Sequence, residues 1–206
     1  MFRMISMFVN AFRALVARIR YALEMRKYNS FTIADYLRRQ GSQIGDGCSI
    51  HVNRLGAEPY LVKLGNHVAI AQGVRFITHD GGVWIFRHEV PDMQVFGPIV
   101  IEDNCVIGEN AILFGNIRIG RNSIVGAGSV VITDIPPNTI AIGIPARPFG
   151  SVDKYKEKAV ERWLVQRPPD VVIETGANWW MSRHFSENRK KLRRHLLKVF
   201  SKELEK

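Results

Sequence analysis

The sequence predicts a parallel β-helix with α-helical extensions at both ends, and three observations support this fold class. From Ile101 onward an aliphatic residue opens every six-residue unit, small residues recur at the fifth position, and Asn or Gly recurs at the expected turns. Six is not a multiple of the helical repeat, so an α-helix would scatter the openers around its surface. If instead each unit forms one short strand and one turn, all of the aliphatic openers point inward. The openers are Ile101, Ile107, Leu113, Ile119, Val125 and Val131.

The residues between the predicted strands suit sharp corners. Asparagine and glycine tolerate positive φ and tight turns better than other residues. With three units per coil, stacked coils would bury a continuous core that no single unit could bury alone. The corner residues are Asn104, Gly108, Asn110, Asn116, Gly120, Asn122 and Gly126.

The period is interrupted twice in the upstream half of the repeat. From Ile44 to Leu64 the count is twenty residues rather than eighteen, and from Phe76 to Ile101 it is twenty-five rather than twenty-four. Insertions in repeat arrays become loops on one face, and such loops usually carry binding groups. We therefore expect functional residues in these segments, above all in the loop over residues 77–100.

Three motifs near the end of the repeat connect the chain to a known family. VGAGSVV at residues 125–131, DIPPNT at 134–139 and GIPAR at 143–147 occur together and in order. With them, residues 44–149 resemble the hexapeptide-repeat acyltransferases of the sugar or polysaccharide O-acetyltransferase type. The resemblance implies a left-handed β-helix, acetyl-CoA as acyl donor without a metal, and a homotrimer with active sites between subunits.

The resemblance also implies a catalytic histidine. Family members carry it at the place that His79 occupies, just after the coil that precedes the loop. Imidazole titrates near neutral pH, so His79 could take the acceptor proton as the acceptor attacks the thioester directly. An exposed turn histidine is the alternative. For the carboxylate partner we expect Asp80 first, provided that it lies in the Gly81–Gly82 turn; the alternatives are Glu89, Asp92, Glu102 and Glu109.

Other residues are implied to bind the two substrates. Small residues near the last coils would let the pantetheine arm approach, and Arg147 would contact a coenzyme A phosphate. Thr133 stands where many relatives have lysine, and Arg118 or Arg121 could compensate. In the loop, Trp84 could stack on a sugar or pack on a subunit, and His88 could bind the acceptor or be plain surface. The residues expected at the donor site are Gly126, Ala127, Gly128, Thr133 and Arg147.

The function that the resemblance implies is transfer of an acetyl group from acetyl-CoA to a sugar hydroxyl, in surface polysaccharide biosynthesis. An amino-sugar N-acyltransferase and a serine acetyltransferase-like enzyme are the enzymatic alternatives. A non-catalytic scaffold that docks at a membrane is the alternative outside enzymes. Loop side chains set the acceptor through contacts that spacing does not reveal, so a sugar or glycan is the most that can be stated.

The net charge of +10 is concentrated in the two extensions, residues 1–43 and 150–206. Phe8, Phe12, Leu15, Ile19 and Leu23 follow a helical period, which predicts an amphipathic helix that packs on the coil or lies on an anionic membrane. Arginines interrupt the apolar stretch, so neither a membrane-spanning helix nor a signal peptide is expected. In the C-terminal extension the sequence pattern predicts helices near residues 155–166 and 179–204. The extension is basic, but it contains no recognisable nucleic-acid-binding module, so we expect no role in binding nucleic acid.

The two cysteines and the histidines predict no metal site. Cys48 and Cys105 both fall at the fifth position of repeat units, where a small residue packs, so we expect reduced thiols and a cytoplasmic protein. The spacing of the histidines does not match the ligands of the β-helical carbonic anhydrases, which share the repeat. The histidines compared are His51, His67, His79 and His88.

Overall fold

A computed structural model describes residues 2–171 and 185–205 of the chain. These residues form two compact units, Met1–Val152 and Asp153–Lys206. The N-terminal extension and the repeat segment thus fall in one unit, and almost all of the C-terminal extension forms the other.

The repeat segment forms short strands, each separated from the next by a turn or loop. Most strands contain only two or three residues, as expected for one strand per six-residue unit. They are β1 Gln43–Ile44, β2 Ser49–Ile50, β3 Val62–Leu64, β4 Ala69–Ile70, β5 Arg75–Ile77, β6 Ile99–Ile101, β7 Val106–Ile107, β8 Ile112–Phe114, β9 Ile117–Ile119, β10 Ile124–Val125, β11 Val130–Val131, β12 Thr139–Gly143 and β13 Ala146–Ser151.

From β3 to β11 the chain visits three sheets in turn. Sheet I has the order β1-β3-β6-β9, sheet II β13-β12-β10-β7-β4-β2, and sheet III β11-β8-β5. All neighbours are parallel except β12 and β13, which pair antiparallel around a cis Ile144–Pro145 bond. Val106 pairs with Ile124 and Ile112 with Val130, so each strand lies above the strand one full coil earlier. The six-residue period predicts this register.

The core runs along the inside of the coil. The six aliphatic openers have no exposed surface, and the small fifth-position residues Cys105, Ala111 and Ser123 are equally buried. Burial of each aliphatic side chain contributes roughly 1.5 to 3 kcal/mol to the free energy of folding. An isolated coil would leave these side chains exposed and would not gain this stabilisation. Both cysteines are free and buried, and burial raises the pKa of each thiol.

One corner of the coil carries a ladder of side-chain hydrogen bonds. His67, Asn104, Asn122 and Asn138 all have positive φ, between 54° and 57°. His67 Nδ1 lies 2.7 Å from Asn104 Oδ1, Asn104 Nδ2 donates to Asn122 Oδ1 at 2.9 Å, and Asn122 Nδ2 donates to Asn138 Oδ1 at 3.1 Å. Asparagine therefore satisfies both the turn geometry and the contact between neighbouring coils.

Two helices precede the coil. The long helix α1 spans Phe2–Met25 and the short helix α2 spans Ile33–Arg39. Helix α2 buries Ile33, Ala34 and Leu37 in the common core. At the end of α1, Met25 packs against the same core, whereas much of the rest of the helix is exposed.

The second unit is helical in its described part. It contains most of α3, Val152–Gln166, together with α4, Phe185–Val199, and α5, Ser201–Leu204. Helix α3 ends just before the Pro168–Pro169 pair, which cannot continue a helix. The predicted second helix is present from Phe185 onward as α4 and α5, and its first predicted residues, 179–184, fall within the segment 172–184 that lies outside the described residues. Within the described residues, no helix combines the length and apolar character that crossing a bilayer requires.

The outward faces of the three sheets differ in polarity. Sheet I presents Gln43, Lys63, Val100 and Arg118. Sheets II and III present mostly aliphatic and aromatic side chains, several of them well exposed. The exposed apolar side chains are Val106, Ile142 and Phe149 on sheet II and Phe114 on sheet III, together with Ile132 just after β11.

Candidate active site

A stem of antiparallel backbone pairs fixes the loop that follows β5. His79 and Phe96 form an antiparallel bridge. Asp80 N donates to Val95 O at 2.9 Å, and Gly97 N donates to Thr78 O at 2.9 Å. The stem joins the start and end of the loop at the edge of sheet III, so His79 sits where an ordered coil gives way to the inserted segment.

Glu58 contacts the His79 ring. Glu58 Oε2 lies 3.1 Å from His79 Nδ1, and the hydroxyl of the buried Thr78 donates to the same oxygen at 2.5 Å. Only 15% of the Glu58 side chain is exposed. The Thr78 hydrogen bond, followed by the bond to His79, holds the pKa of the Glu58 carboxyl below its usual range. Glu58 is therefore a carboxylate at neutral pH.

The Glu58 contact sets the tautomer of His79. A carboxylate only accepts hydrogen bonds, so in the neutral ring Nδ1 carries the proton and Nε2 has the lone pair. The His79 side chain is 51% exposed, and Nε2 bonds to none of the described residues. A cleft of about 270 Å³ adjoins the ring and is lined by Phe96, Phe114 and Gly115 among others. A hydroxyl group that enters this cleft would meet a base of the correct form.

In the structure the carboxylate that contacts the His79 ring is Glu58 and not the predicted Asp80. Asp80 does lie in the glycine turn, but its Oδ1 accepts a hydrogen bond from Gly82 N at 2.8 Å and caps the short 3₁₀ helix Gly81–Phe86. The alternatives are occupied elsewhere or do not reach the ring. Glu102 pairs with Arg118, and Glu89 lies 3.2 Å from His88.

A signal for Glu58 is present in the sequence. The excess of residues between Ile44 and Leu64 marks the segment before β3 as an insertion, and Glu58 is its one carboxylate between residues 51 and 61. Gly56 lets this segment approach the coil. It has φ +82°, and an added Cβ would lie 2.9 Å from Thr78 Oγ1, so a larger residue would push Glu58 away from its partners.

The loop residues expected to bind the acceptor point to solvent. Trp84 is 71% exposed, and the Arg87 guanidinium lies 5.3 Å from its ring centre. His88 and Glu89 form an exposed pair. Only Val83 of the 3₁₀ helix is buried, so beyond the stem this helix is held by one side chain and its other side chains are open to a ligand or a neighbouring chain.

The residues expected to hold the donor lie at the two edges of sheet III, except Arg147, which is on sheet II. Ala127 and Gly128 are exposed at the corner between sheets II and III, and Gly128 has φ +67° with open space around it. Thr133 follows β11 and shares the His79 edge, because β5, β8 and β11 are stacked. Arg147 is exposed on β13. Within one chain, the structure does not bring Gly126–128 together with His79.

The described residues contain no cluster of three or more His, Cys, Asp or Glu side chains arranged to hold a metal ion. Arg118 and Arg121 are engaged by Glu102 at 3.0 Å and 3.8 Å, so neither is a free substitute for a lysine at position 133. The pKa of Glu102 is lowered by the Arg121 backbone N–H and then by Arg118.

Comparisons with known proteins agree with this architecture. A family model described as the hexapeptide repeat of succinyl-transferase matches residues 98–133. Protein CapG of Staphylococcus aureus is 46% identical over 130 residues, 62% of this chain and 76% of that protein. Galactoside O-acetyltransferase of Escherichia coli K12 is 35% identical over 109 residues, 49% of this chain and 53% of that protein. A Vibrio cholerae hexapeptide-repeat acetyltransferase, solved with acetyl coenzyme A, matches with a TM-score of 0.50 and 34% identity over 54% of this chain and 61% of that chain.

The coil and its relatives define the class of protein as a β-helical acyltransferase. More particularly, the chain belongs to the hexapeptide-repeat acetyltransferase family, since it covers 76% of CapG at 46% identity. Its fold is that family's left-handed β-helix, with parallel sheets and added helices. The predicted family is thereby confirmed. The chain spans only about half of the galactoside enzyme, so acceptor and assembly require their own arguments.

Replacing Thr78 should change the ionisation of Glu58. In Thr78→Val the largest cause of the lowered carboxyl pKa is lost, so the Glu58 pKa should rise toward its ordinary value, whereas Thr78→Ser keeps the hydroxyl and should leave it low. A carboxyl carbon NMR titration measures this directly. Because the folded pKa is lowered, the stabilisation is present at neutral pH and lost as pH falls through that pKa. The difference in free energy of unfolding between the parent and Thr78→Val should therefore become smaller as the pH falls. Equal Glu58 pKa values in the parent and in Thr78→Val would contradict the conclusion that the Thr78 hydroxyl lowers this pKa.

Proposed function

We propose that this protein is an acetyl-CoA-dependent O-acetyltransferase that acetylates a sugar hydroxyl, with His79 as general base. The observation that carries the proposal is the contact between Glu58 and His79 Nδ1, which in the neutral ring places the lone pair on Nε2 beside an open cleft. A relative named galactoside O-acetyltransferase supports the oxygen acceptor and the sugar class. Surface polysaccharide biosynthesis is the role we propose for the product.

The proposed reaction needs one base and no covalent enzyme intermediate. His79 Nε2 accepts the proton of the acceptor hydroxyl while the oxygen attacks the thioester carbonyl. Glu58 stabilises the imidazolium that forms, and does so without becoming protonated. As the carbon–sulfur bond breaks, the imidazolium returns its proton to the leaving sulfur, which restores neutral His79. Thr78 acts through Glu58 by fixing the carboxylate and keeping it ionised.

We propose that the loop over residues 78–98 supplies the sugar contacts. Trp84 offers an exposed aromatic face whose cation–π contact with Arg87 steadies it, and aromatic faces stack on sugar rings. Phe96 lies beside His79 through the stem bridge. His88 is placed at the outer rim, where its contact with Glu89 would orient it toward acceptor groups.

For the donor we propose the residues implied by the family. Gly126, Ala127 and Gly128 leave one edge of the coil open to the pantetheine arm, and Gly128 exposes its backbone without a side chain. Arg147 has no carboxylate partner among the described residues and could meet a phosphate with charge-assisted hydrogen bonds. Thr133 contributes at most a hydroxyl contact at the His79 edge.

We also propose that three copies assemble with two of the three sheets at subunit interfaces. A ring of three uses two faces of each copy and leaves the third in solvent. Sheets II and III carry the exposed apolar residues, whereas sheet I is mostly polar. This arrangement would place Gly126–128 of one copy near the His79 edge of the next, which a single chain does not achieve.

The apolar stripe of α1 supports a further part of the proposal, that the helix lies on an anionic membrane surface. Phe12, Leu15, Ile19 and Leu23 share one face, and each is at least half exposed. The stripe is flanked by basic residues that form no salt bridge with any described residue, so their charge is available to anionic lipid headgroups. Those residues are Arg13, Arg18, Arg20 and Arg26.

Activity tests the catalytic assignment. His79→Ala should lower acetyl transfer, measured as thiol release from acetyl-CoA with a panel of sugar acceptors, by about a hundredfold to ten-thousandfold. Glu58→Gln should lower kcat by at least about a hundredfold, because the amide no longer selects the correct tautomer. Asp80→Asn is the matched control: it still accepts from Gly82 N, so kcat should change little.

The same assay separates the rival functions. Thiol release with amines but with no hydroxyl acceptor would replace O-acetylation by N-acylation. No thiol release with any acceptor, together with an unchanged cellular phenotype in His79→Ala, would favour a non-catalytic scaffold. A strong effect of Asp80→Asn with none of Glu58→Gln would reverse the assignment of the carboxylate.

The proposed trimer is tested by introducing a charged residue on the outward face of a sheet. Val106→Asp places a carboxylate at the apolar face of sheet II and should shift the sedimentation coefficient from that of a trimer toward a monomer. Lys63→Asp, on sheet I, should leave the trimer intact. Equal sedimentation of both variants as trimers would place the interface elsewhere.

Membrane docking is tested with vesicles. The full chain should bind vesicles that contain phosphatidylglycerol more tightly than neutral ones, and added salt should weaken this binding. The double variant Phe12→Glu, Ile19→Glu should lose vesicle binding and remain trimeric. Loss of the trimer in that variant, without vesicle binding by the parent chain, would instead place the stripe against another subunit.

A further inference from the structure

A second cleft lies between the end of α1 and the first two coils, outside the site built around His79. It has a volume of about 520 Å³. Its lining includes Arg54, Arg75 and His51 as well as Tyr28 and Asn53, and none of the Asp and Glu residues that the structure describes lines it. The cleft therefore has a positive lining that no acidic group within it neutralises.

The two arginines of this cleft differ from those with a structural role. Arg38, Arg39, Arg118 and Arg121 each form a salt bridge. Arg54 and Arg75 are exposed, and neither forms a salt bridge or side-chain hydrogen bond with any residue in the described ranges. Their guanidinium forks are thus free to bind a phosphate or carboxylate in bidentate fashion.

The position of Arg75 links this cleft to the catalytic histidine. Along β5 and its continuation, Phe76 and Thr78 are buried, so Arg75, Ile77 and His79 project from the same outer side. Four residues of extended chain separate Arg75 from His79, which is about 13 Å. A ligand that follows this strand could place an anionic group at Arg75 and a hydroxyl at His79.

We infer that this basic cleft binds the phosphate or pyrophosphate of the acceptor, so that the acceptor is a sugar carried on a phosphate ester. This inference rests on the proposed O-acetyltransferase function and specifies its substrate class. A pyrophosphate offers several oxygens to two guanidinium groups, and about 13 Å along the strand is long enough for a sugar between the phosphate and the reacting hydroxyl. Two sources share this chemistry, a nucleoside diphosphate sugar and a lipid-linked sugar pyrophosphate.

The cleft borders the end of the helix that we propose to lie on a membrane. Met25 of α1 and Tyr28 just beyond it both line the cleft. A lipid pyrophosphate at the membrane surface would therefore enter beside α1, while a nucleotide sugar would enter from solvent. The experiment separates the two sources.

The first arm of the test uses inorganic pyrophosphate and the full chain. Pyrophosphate should inhibit acetyl transfer competitively with the acceptor and not with acetyl-CoA. The double variant Arg54→Gln, Arg75→Gln should weaken pyrophosphate binding, measured by calorimetry, by at least about tenfold, because charge-assisted hydrogen bonds are lost. Lys63→Gln removes one positive charge outside the cleft and should leave pyrophosphate binding unchanged.

The second arm compares acceptors. With phosphate-bearing acceptors the double variant should raise KM at least about tenfold, and with the matching free sugar it should leave kcat/KM unchanged. A rise confined to uridine diphosphate sugars identifies the soluble source, and one confined to undecaprenyl pyrophosphate sugars in phosphatidylglycerol vesicles identifies the lipid source.

Three results would overturn the inference: equal pyrophosphate affinity in the double variant and the parent, competition of pyrophosphate against acetyl-CoA, or an equal loss of activity with free sugars. None of them removes the His79-dependent thiol release on which the proposed function depends. If instead the parent chain released no thiol from acetyl-CoA with any acceptor, the proposed function itself would be wrong.

Discussion

The hydrogen bond between Glu58 and His79 is the interaction on which the site depends. It joins two segments that the coil itself does not need, the insertion before β3 and the loop after β5. Thr78 is buried between them and donates to the same carboxylate oxygen, so the end of β5 contributes both the proposed base and the group that fixes its carboxylate partner. Without the carboxylate, nothing in the described structure would determine which ring nitrogen of His79 carries the proton.

The regular coil provides the rigid support that holds Glu58 and His79 in contact. Each aliphatic opener is buried against its counterparts in the coils above and below, and the asparagine ladder satisfies the corners between them. A short insertion at a corner therefore does not disturb the core, and its side chains are held against a rigid edge. Gly56 shows how narrow the tolerance is, because only a residue without Cβ allows the insertion to approach Thr78 this closely.

Much of this structure could be predicted from the sequence, and the part that could not has a physical reason. Periodicity predicts the strands and the buried openers because it reports one repeated environment, and the motifs of the last coils indicate the family. His79 could be found because it begins a segment that the period does not explain. Glu58 could be placed only by knowing how an insertion folds back across a coil, and the predicted partner Asp80 does not contact His79 because its carboxylate caps the adjacent glycine turn. The exposure of α1 depends on where that helix contacts the coil, which its own amphipathic pattern does not specify.

A crystal structure of the full chain with bound coenzyme A would test the central claim most directly. We expect Glu58 to remain on His79 Nδ1 while the sulfur of coenzyme A faces Nε2, directly or through a bridging water molecule. The acceptor cleft beside Phe96 and Phe114 should stay open next to that sulfur. A structure in which Glu58 has turned away from His79, or in which the sulfur lies at an edge of the coil remote from the ring, would contradict the assignment of this pair as the catalytic base and its positioning residue.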